Sequence, residues 1–224
     1  MALDRVIAGK AAAIIPAIAL YGMAFGATSQ QSGLPLSQTV GLSLLVFGGG
    51  SQFAAVGVYA SGGSAVSQVV TGLLVNARML AFGVALAPIL PRSFRHRLAA
   101  CQFVTDEPVA LAVAEDDVVS ARRAFWYMAI SLWIVWNLSA ALGATALRSI
   151  GDPGRFGLDA AIPASFVGLL APRLRQRPAM AAALLGAALS LMLVPLTPAG
   201  VPVMVSALGA IIVLAYGMRR GVTT

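Results

Sequence analysis

From Ala11 to Pro91 the chain carries a single charged side chain, Arg78, in a run otherwise made of apolar residues, Gly, Pro and uncharged polar residues. A water-soluble domain cannot cover its surface with such a run. A hydrocarbon layer of ~30 Å asks for about 20 mostly apolar residues per helical crossing, and this stretch alone holds enough for about three. The lone cation is the first functional suspect, because a charge at membrane depth is costly and usually has a task there.

Composition points the same way: 59% of the residues are hydrophobic, 10% are charged, and the mean hydropathy is +0.88. The expected fold is therefore all-α, a polytopic integral membrane helical bundle forming one domain over residues 1–224. The net charge of +7 does not indicate a nucleic-acid partner. All but one of the cations are arginine, the exception being Lys10, and most fall in short loops or at the termini, where they anchor the bilayer orientation. Cys101 is alone, which excludes an internal disulfide and a cysteine metal site and leaves the role of a small apolar filler. The N-terminal run through Arg5 and Lys10 reads as the start of a first helix, not as a removed signal.

Apolar segments cover 11–27, 36–60, 65–90, 98–114, 124–147, 158–171, 179–196 and 201–218, giving seven or eight membrane segments. The fourth and sixth are short for a crossing and are candidates for re-entrant or broken helices. Arg219 and Arg220, the cluster Arg173, Arg175 and Arg177, the loop from Glu115 to Arg123, and Arg5 with Lys10 all fall on one side of an eight-crossing chain, the cytoplasmic one. Arg92, Arg95 and Arg97 dissent unless the second or fourth segment fails to cross. A weak repeat relates halves 11–114 and 121–218: Gly26-Ala27-Thr28 recurs as Gly143-Ala144-Thr145, followed by Gly41 with Gly157 and Gly72 with Gly186. It sets the break at Gly48-Gly49-Gly50-Ser51 opposite Pro163-Ala164-Ser165, which points to a site near the membrane midplane.

Arg78, in Val75-Asn76-Ala77-Arg78-Met79, needs a partner, and Asp106, Glu107 and Asp159 are the available acids. A buried ion pair that only fixes helix register is the alternative reading. In Thr105-Asp106-Glu107-Pro108 the proline disfavours helical geometry at Glu107 yet suits a first turn, so Thr105 or Asp106 caps a helix that starts inside the membrane. Its amides can hold a carboxylate, and its acids can take a proton or face an ammonium. Gly48-Gly49-Gly50-Ser51-Gln52-Phe53 strips side chains from successive backbone positions, as an unwound segment lining a cavity requires. Trp133, Trp136 and Asn137 share a helical face and are expected in the core, whereas Trp126 suits the interfacial aromatic belt. With one histidine, His96, and no zinc-protease, nucleophile-elbow or nucleotide-binding motif, the chain reads as a transporter, not an enzyme. No cofactor is implied, and energy comes from a gradient or another subunit.

The blocks Tyr21-Gly22-Met23-Ala24-Phe25-Gly26, Phe47-Gly48-Gly49-Gly50-Ser51-Gln52-Phe53-Ala54-Ala55, Leu74-Val75-Asn76-Ala77-Arg78-Met79, Phe103-Val104-Thr105-Asp106-Glu107 and Gly157-Leu158-Asp159-Ala160-Ala161-Ile162-Pro163 resemble, in order over nearly the whole chain, the AzlC (YgaZ-like) branched-chain amino-acid permease family. The resemblance implies a bacterial inner-membrane, multi-pass exporter of Leu, Ile, Val and sometimes Met, working with a small AzlD-type membrane subunit; assembly into oligomers is compatible with it. A zwitterion with an aliphatic side chain fits the residues singled out. Arg78 or the helix start after Asp106 would receive the carboxylate; Asp106, Glu107 or the Gly48–Ser51 carbonyls the ammonium; and Phe25, Phe47, Phe53 and Met79 the aliphatic group. Asn76, Gln52 and Asp159 complete the candidate substrate-binding set. A passive channel or non-transporting scaffold subunit is the alternative function. A membrane enzyme using Asp106 and Asp159 as an acid pair lacks supporting motifs.

Overall fold

The computed structural model describes residues 2–149 and 173–197, with isolated residues and pairs between 201 and 216. Among the described residues the structure is all-helical, with no strand. Helix α1 (Ala2–Gln31) and helix α8 (Val118–Ser149) are the long ones, and their apolar stretches Ala11–Gln31 and Val118–Ala146 are long enough to cross a bilayer. Helices α4 (Ala65–Asn76) and α5 (Arg78–Leu86) make a third passage if taken together, bent by 42° at Ala77. The described part therefore holds two membrane-length helices, or three with the bent pair.

The second and fourth apolar segments do not run straight. The second splits into α2 (Leu36–Leu45) and α3 (Gly49–Ala60), the fourth into α6 (Phe94–Cys101) and α7 (Asp106–Val113). At 1.5 Å per residue these helices are only about 12–18 Å long. Leu34, just before α2, packs in one cluster with Val56 of α3, Phe25 of α1 and Ala140 of α8, so α3 returns to the end that α2 left. Gln52 ties the returning arm to the entering one by donating from Nε2 to the Leu42 carbonyl at 2.8 Å. At the opposite end, Arg122 near the start of α8 donates from Nε and a terminal nitrogen to the Ile89 carbonyl, at 3.1 and 2.9 Å. The end of α5 and the start of α8 thus lie together, and α6–α7 between them form a second hairpin. Arg92, Arg95 and Arg97 consequently share an end with the Glu115–Arg123 loop, which removes their conflict with the other basic loops.

The hairpins meet tip to tip. Gln102 donates from Nε2 to the Leu44 carbonyl at 2.9 Å, and the rings of Phe47 and Phe103 stand 6.5 Å apart, edge to face. The sequence carries a trace of this inversion: Ala24-Phe25-Gly26 of α1 recurs as Ala81-Phe82-Gly83 of α5, and at the same separation Gly49, opening α3, matches Asp106, opening α7. In one half α1 packs on α3; in the other α5 packs on α7.

Helices α1 and α8 run parallel and touch along their length. Ala11 shares a cluster with Ala124 and Met128, and further along Gly22 meets Trp136 and Ser139, while Gly26 meets Ala140 and Ala144. A Cβ on Gly26 would strike the Ala140 carbonyl oxygen and stand 2.7 Å from the Ala144 nitrogen; one on Gly143 would strike the Met23 carbonyl. Glycine at the seam is what lets two backbones approach this closely. The expected repeat partners Gly26 and Gly143 are therefore seam residues, whereas Gly157 and Pro163-Ala164-Ser165 lie outside the described residues.

The exterior is strongly apolar: Leu20, Leu45, Leu73, Leu80 and Val84 are all more than 60% exposed. That surface belongs in hydrocarbon. The molecule is a membrane helical protein. One expectation changes. Cys101 is exposed rather than a filler, because α6 makes few contacts with the other helices. Trp126 is half-buried and packs edge-on against Phe103 at 5.7 Å, because the tip of the second hairpin reaches that level of α8, and against its neighbour Phe125 at 5.2 Å.

Candidate functional site

A cavity of about 430 Å³ opens where the two hairpin tips converge on α1, α5 and α8. The first tip contributes Phe47, Gly48, Gly49 and Gly50, and the second Thr105, Asp106 and Glu107. The same sequence separation that relates the halves pairs Gly48 with Thr105, Gly49 with Asp106, Gly50 with Glu107, Tyr21 with Arg78 and Ile18 with Val75. All ten line this cavity. It sits on the axis between the inverted halves, as in transporters built from inverted repeats.

Its electrostatic centre is an ion pair: an Arg78 terminal nitrogen stands 2.9 Å from an Asp106 carboxylate oxygen. Arg78 opens α5 directly after the bend at Ala77, and Asp106 opens α7, so each charge sits at a helix break. Both side chains remain about one-third exposed, at 34% and 30%, so the pair faces the cavity and is not sealed in the core. Glu107 adds a second carboxylate to the same wall.

The two helix starts differ. Helix α7 carries Asp106 and Glu107 in its first turn, acids that offset its own positive end. Helix α3 has no acid in its first turn and no side-chain cap, so the amides of Gly49 and Gly50 begin it beside the cavity. The Arg78 guanidinium lies 3.8 Å from where a Cβ on Gly50 would stand. Guanidinium and helix start therefore form one positive pole, and Asp106 with Glu107 the negative pole. Glycine is needed at position 49 for another reason: a Cβ there would come within 2.8 Å of the Trp136 ring.

Thr105 holds the N-cap position of α7 in an extended conformation, but its hydroxyl makes no cap bond, and Oγ1 is buried without a partner. Glu107 is helical despite preceding Pro108, since the proline falls in the first turn, where its missing N–H is not required. Val75, Met79, Ile18, Leu132, Phe47 and Phe53 make up the apolar wall.

Of the residues expected from sequence, Gly48, Gly49, Gly50, Phe53, Arg78, Asp106 and Glu107 come together at this cavity. Ser51, Gln52 and Asn76 face the other side of the first hairpin. Gln52 is fully engaged: Oε1 accepts from the Trp136 indole N–H at 2.9 Å while Nε2 donates to Leu42, so it locks the hairpin to α8. Phe25 lies behind the wall, fully buried, with its ring 5.6 Å from Phe53 and 5.9 Å from Trp136. Asp159 lies outside the described residues. Tyr21, Ile18, Leu132 and Trp136 line the cavity without having been singled out as ligand-facing; the correspondence of Tyr21 with Arg78 was the available signal.

The family model described as AzlC protein matches residues 13–150 of this chain. No curated protein and no solved structure matches it.

Proposed function

The chain belongs to the AzlC family, and on that premise we propose that it is the large subunit of a two-component exporter of branched-chain amino acids. In this reading Leu, Ile, Val and Met leave across the bacterial cytoplasmic membrane by secondary active transport, with no enzymatic step. A small AzlD-type membrane subunit is the partner. The basic end that gathers Arg92, Arg95, Arg97, Arg122 and Arg123 faces the cytoplasm. Helices α1, α4–α5 and α8 cross, and the two hairpins dip from opposite faces.

The observation that carries this reading is the Arg78–Asp106 pair at 2.9 Å, facing a mostly apolar cavity between two opposed hairpin tips. An amino-acid zwitterion is complementary to it. Its carboxylate takes a place at Arg78 and the Gly49 and Gly50 amides, where a helix start adds to the guanidinium. Its ammonium takes Asp106 and Glu107, and its branched side chain lies against Phe47, Phe53 and Met79. Binding exchanges one internal ion pair for two to the substrate, so neither resident charge is stranded in a poorly hydrated site.

The test is counterflow in vesicles holding the chain and its partner subunit. Labelled leucine should discharge saturably, and unlabelled isoleucine and valine should compete. Leucine methyl ester, lacking the anionic pole, and 4-methylpentanoate, lacking the cationic one, should not. Flux that rises linearly with leucine and ignores the competitors would favour a passive channel instead.

A further inference from the structure

A second cavity, of about 330 Å³, lies on the other side of the first hairpin. Its wall is mostly apolar, built by Leu42 of α2, Val46 just after it, Val56 and Tyr59 of α3, and Val69 and Leu73 of α4, the last two also more than 60% exposed on the outer surface, and no charged side chain lines it. Its polar groups are Ser51, Gln52 and Asn76 at the Gly48 edge, with Gln68, which donates to the Gly63 carbonyl at 3.2 Å, and Tyr59 away from it. Gln52 is engaged at both ends of its amide, and Ser51 Oγ donates to the Gly48 carbonyl at 2.7 Å. Asn76 Oδ1, by contrast, is buried and accepts no hydrogen bond. A buried acceptor without a donor is uncommon and asks for an explanation.

The division between the two cavities is thin. Gly48 lines the first, and Ser51 and Asn76 line the second. A Cβ on Gly48 would stand 2.9 Å from Ser51 Oγ and 3.1 Å from Asn76 Oδ1, so the partition there is one residue deep and has no side chain. Helix α4 continues the division, with Val75 on the first cavity and Gly72, Leu73 and Asn76 on the second.

We propose that the second cavity is a separate subsite of the transport path. It takes the branched aliphatic side chain in a second pose of the cycle, after that side chain leaves Phe47, Phe53 and Met79 and the ammonium leaves Asp106 and Glu107 to donate to Asn76 Oδ1 at the Gly48 partition. This rests on the transport reading above. The chemistry follows from the two linings: a charge-free chamber has nothing for a carboxylate, which stays with Arg78, but it suits a hydrocarbon group. Asn76 supplies the donorless acceptor that an ammonium would complete. A substrate straddling the partition thus has its carboxylate on one side and its side chain on the other, and the size of the second cavity sets which side chains are accepted.

Gly72→Leu and Ala55→Phe fill the second cavity, and neither residue lines the first. A Cβ on Gly72 has no neighbour nearer than the Ser51 carbonyl at 3.9 Å, so the leucine has room to enter. With the complex in vesicles, equilibrium binding and flux of labelled leucine and labelled alanine are measured for both variants, and for Asn76→Leu. Filling the cavity should weaken leucine binding about tenfold and leave alanine, which has no branch, within about twofold. Asn76→Leu should weaken both amino acids alike, since both carry the ammonium. Equal effects of the cavity-filling variants on leucine and alanine, or no effect on either, would overturn the proposal. So would unchanged leucine flux together with loss of a co-purifying lipid, which would make the cavity an acyl-chain crevice. If the parent complex binds no leucine, the transport reading itself fails and this inference falls with it, an outcome distinct from parental binding with unaltered selectivity.

Discussion

Neutralising Arg78 and Asp106 singly and together separates a substrate site from a structural strut. At 2.9 Å the Coulomb attraction is about 1.4 kcal/mol with water-like screening and about 6 kcal/mol at an effective dielectric of 20. Stranding one partner of a fully buried pair costs about 3–5 kcal/mol, and the one-third exposure of both side chains reduces that to about 2–3 kcal/mol. Arg78→Leu and Asp106→Leu should each lower the melting temperature of the purified complex by roughly 5–10 °C, taking about 2–4 °C per kcal/mol for a chain of this size. The double variant strands neither of these two charges and should recover most of the loss, corresponding to a coupling energy of about 2 kcal/mol. Its leucine flux should nevertheless stay below a tenth of the parent's, because the positive pole is gone. A double variant that exports leucine at the parental rate would refute the assignment and leave the pair as a packing device; additive melting shifts would refute the pairing itself.

Other consequences are directly measurable. At the α1–α8 seam, Gly26→Ala and Gly143→Ala each drive a methyl group into backbone and should each destabilise by about 1–3 kcal/mol, with the double variant costing less than the sum because one separation of the helices relieves both; thermal unfolding in detergent reads this. Trp136→Phe removes the donor to buried Gln52 Oε1 and should cost about 1–3 kcal/mol, whereas pairing it with Gln52→Leu should return part of that loss. Asp117, before α8, has its carboxyl held below the ordinary 3.8 by the Ser120 hydroxyl, then by the Ser120 and Val119 amides and by Arg123. Its folded value being the lower one, its stabilising contribution is complete above pH 3.8 and fades as pH falls through the folded value. The melting difference between the parent and Asp117→Ala should therefore be flat at neutral pH and shrink only below 3.8.

The class of protein and much of the cavity were legible because the cost of charge in hydrocarbon is so large. An unaccompanied Arg78 demanded an acid from among Asp106, Glu107 and Asp159, a choice that only the contact with Asp106 makes; the glycine run marked the helix break, but the unwound stretch expected over 48–53 is shorter, since Gly49 already opens α3. The course of the chain was harder to read. Segments 36–60 and 98–114 are apolar enough to cross, and hydropathy does not distinguish a passage from a hairpin that enters and returns. The distinction lies in tertiary contacts such as Leu34 with Val56 and Arg122 with the Ile89 carbonyl. The short-range echo of Ala24-Phe25-Gly26 in Ala81-Phe82-Gly83 carried the inversion, but three residues gain meaning only once the hairpins are seen to oppose each other. Phe25 was misleading because an aromatic beside a cavity wall and one within it leave the same trace in sequence. Trp136 was underrated because it is a core residue on one edge and a wall residue on another.

The inverted halves are alike in path and unlike in charge: Arg78, Asp106 and Glu107 all come from the second, opposite Tyr21, Gly49 and Gly50 in the first. Were the protein to alternate by exchanging the shapes of its halves, inward-open and outward-open forms would not be isoenergetic, since only one half brings ions to the cavity. Its resting posture would then be written into the polypeptide rather than imposed by cargo, giving the cycle a built-in preferred stop.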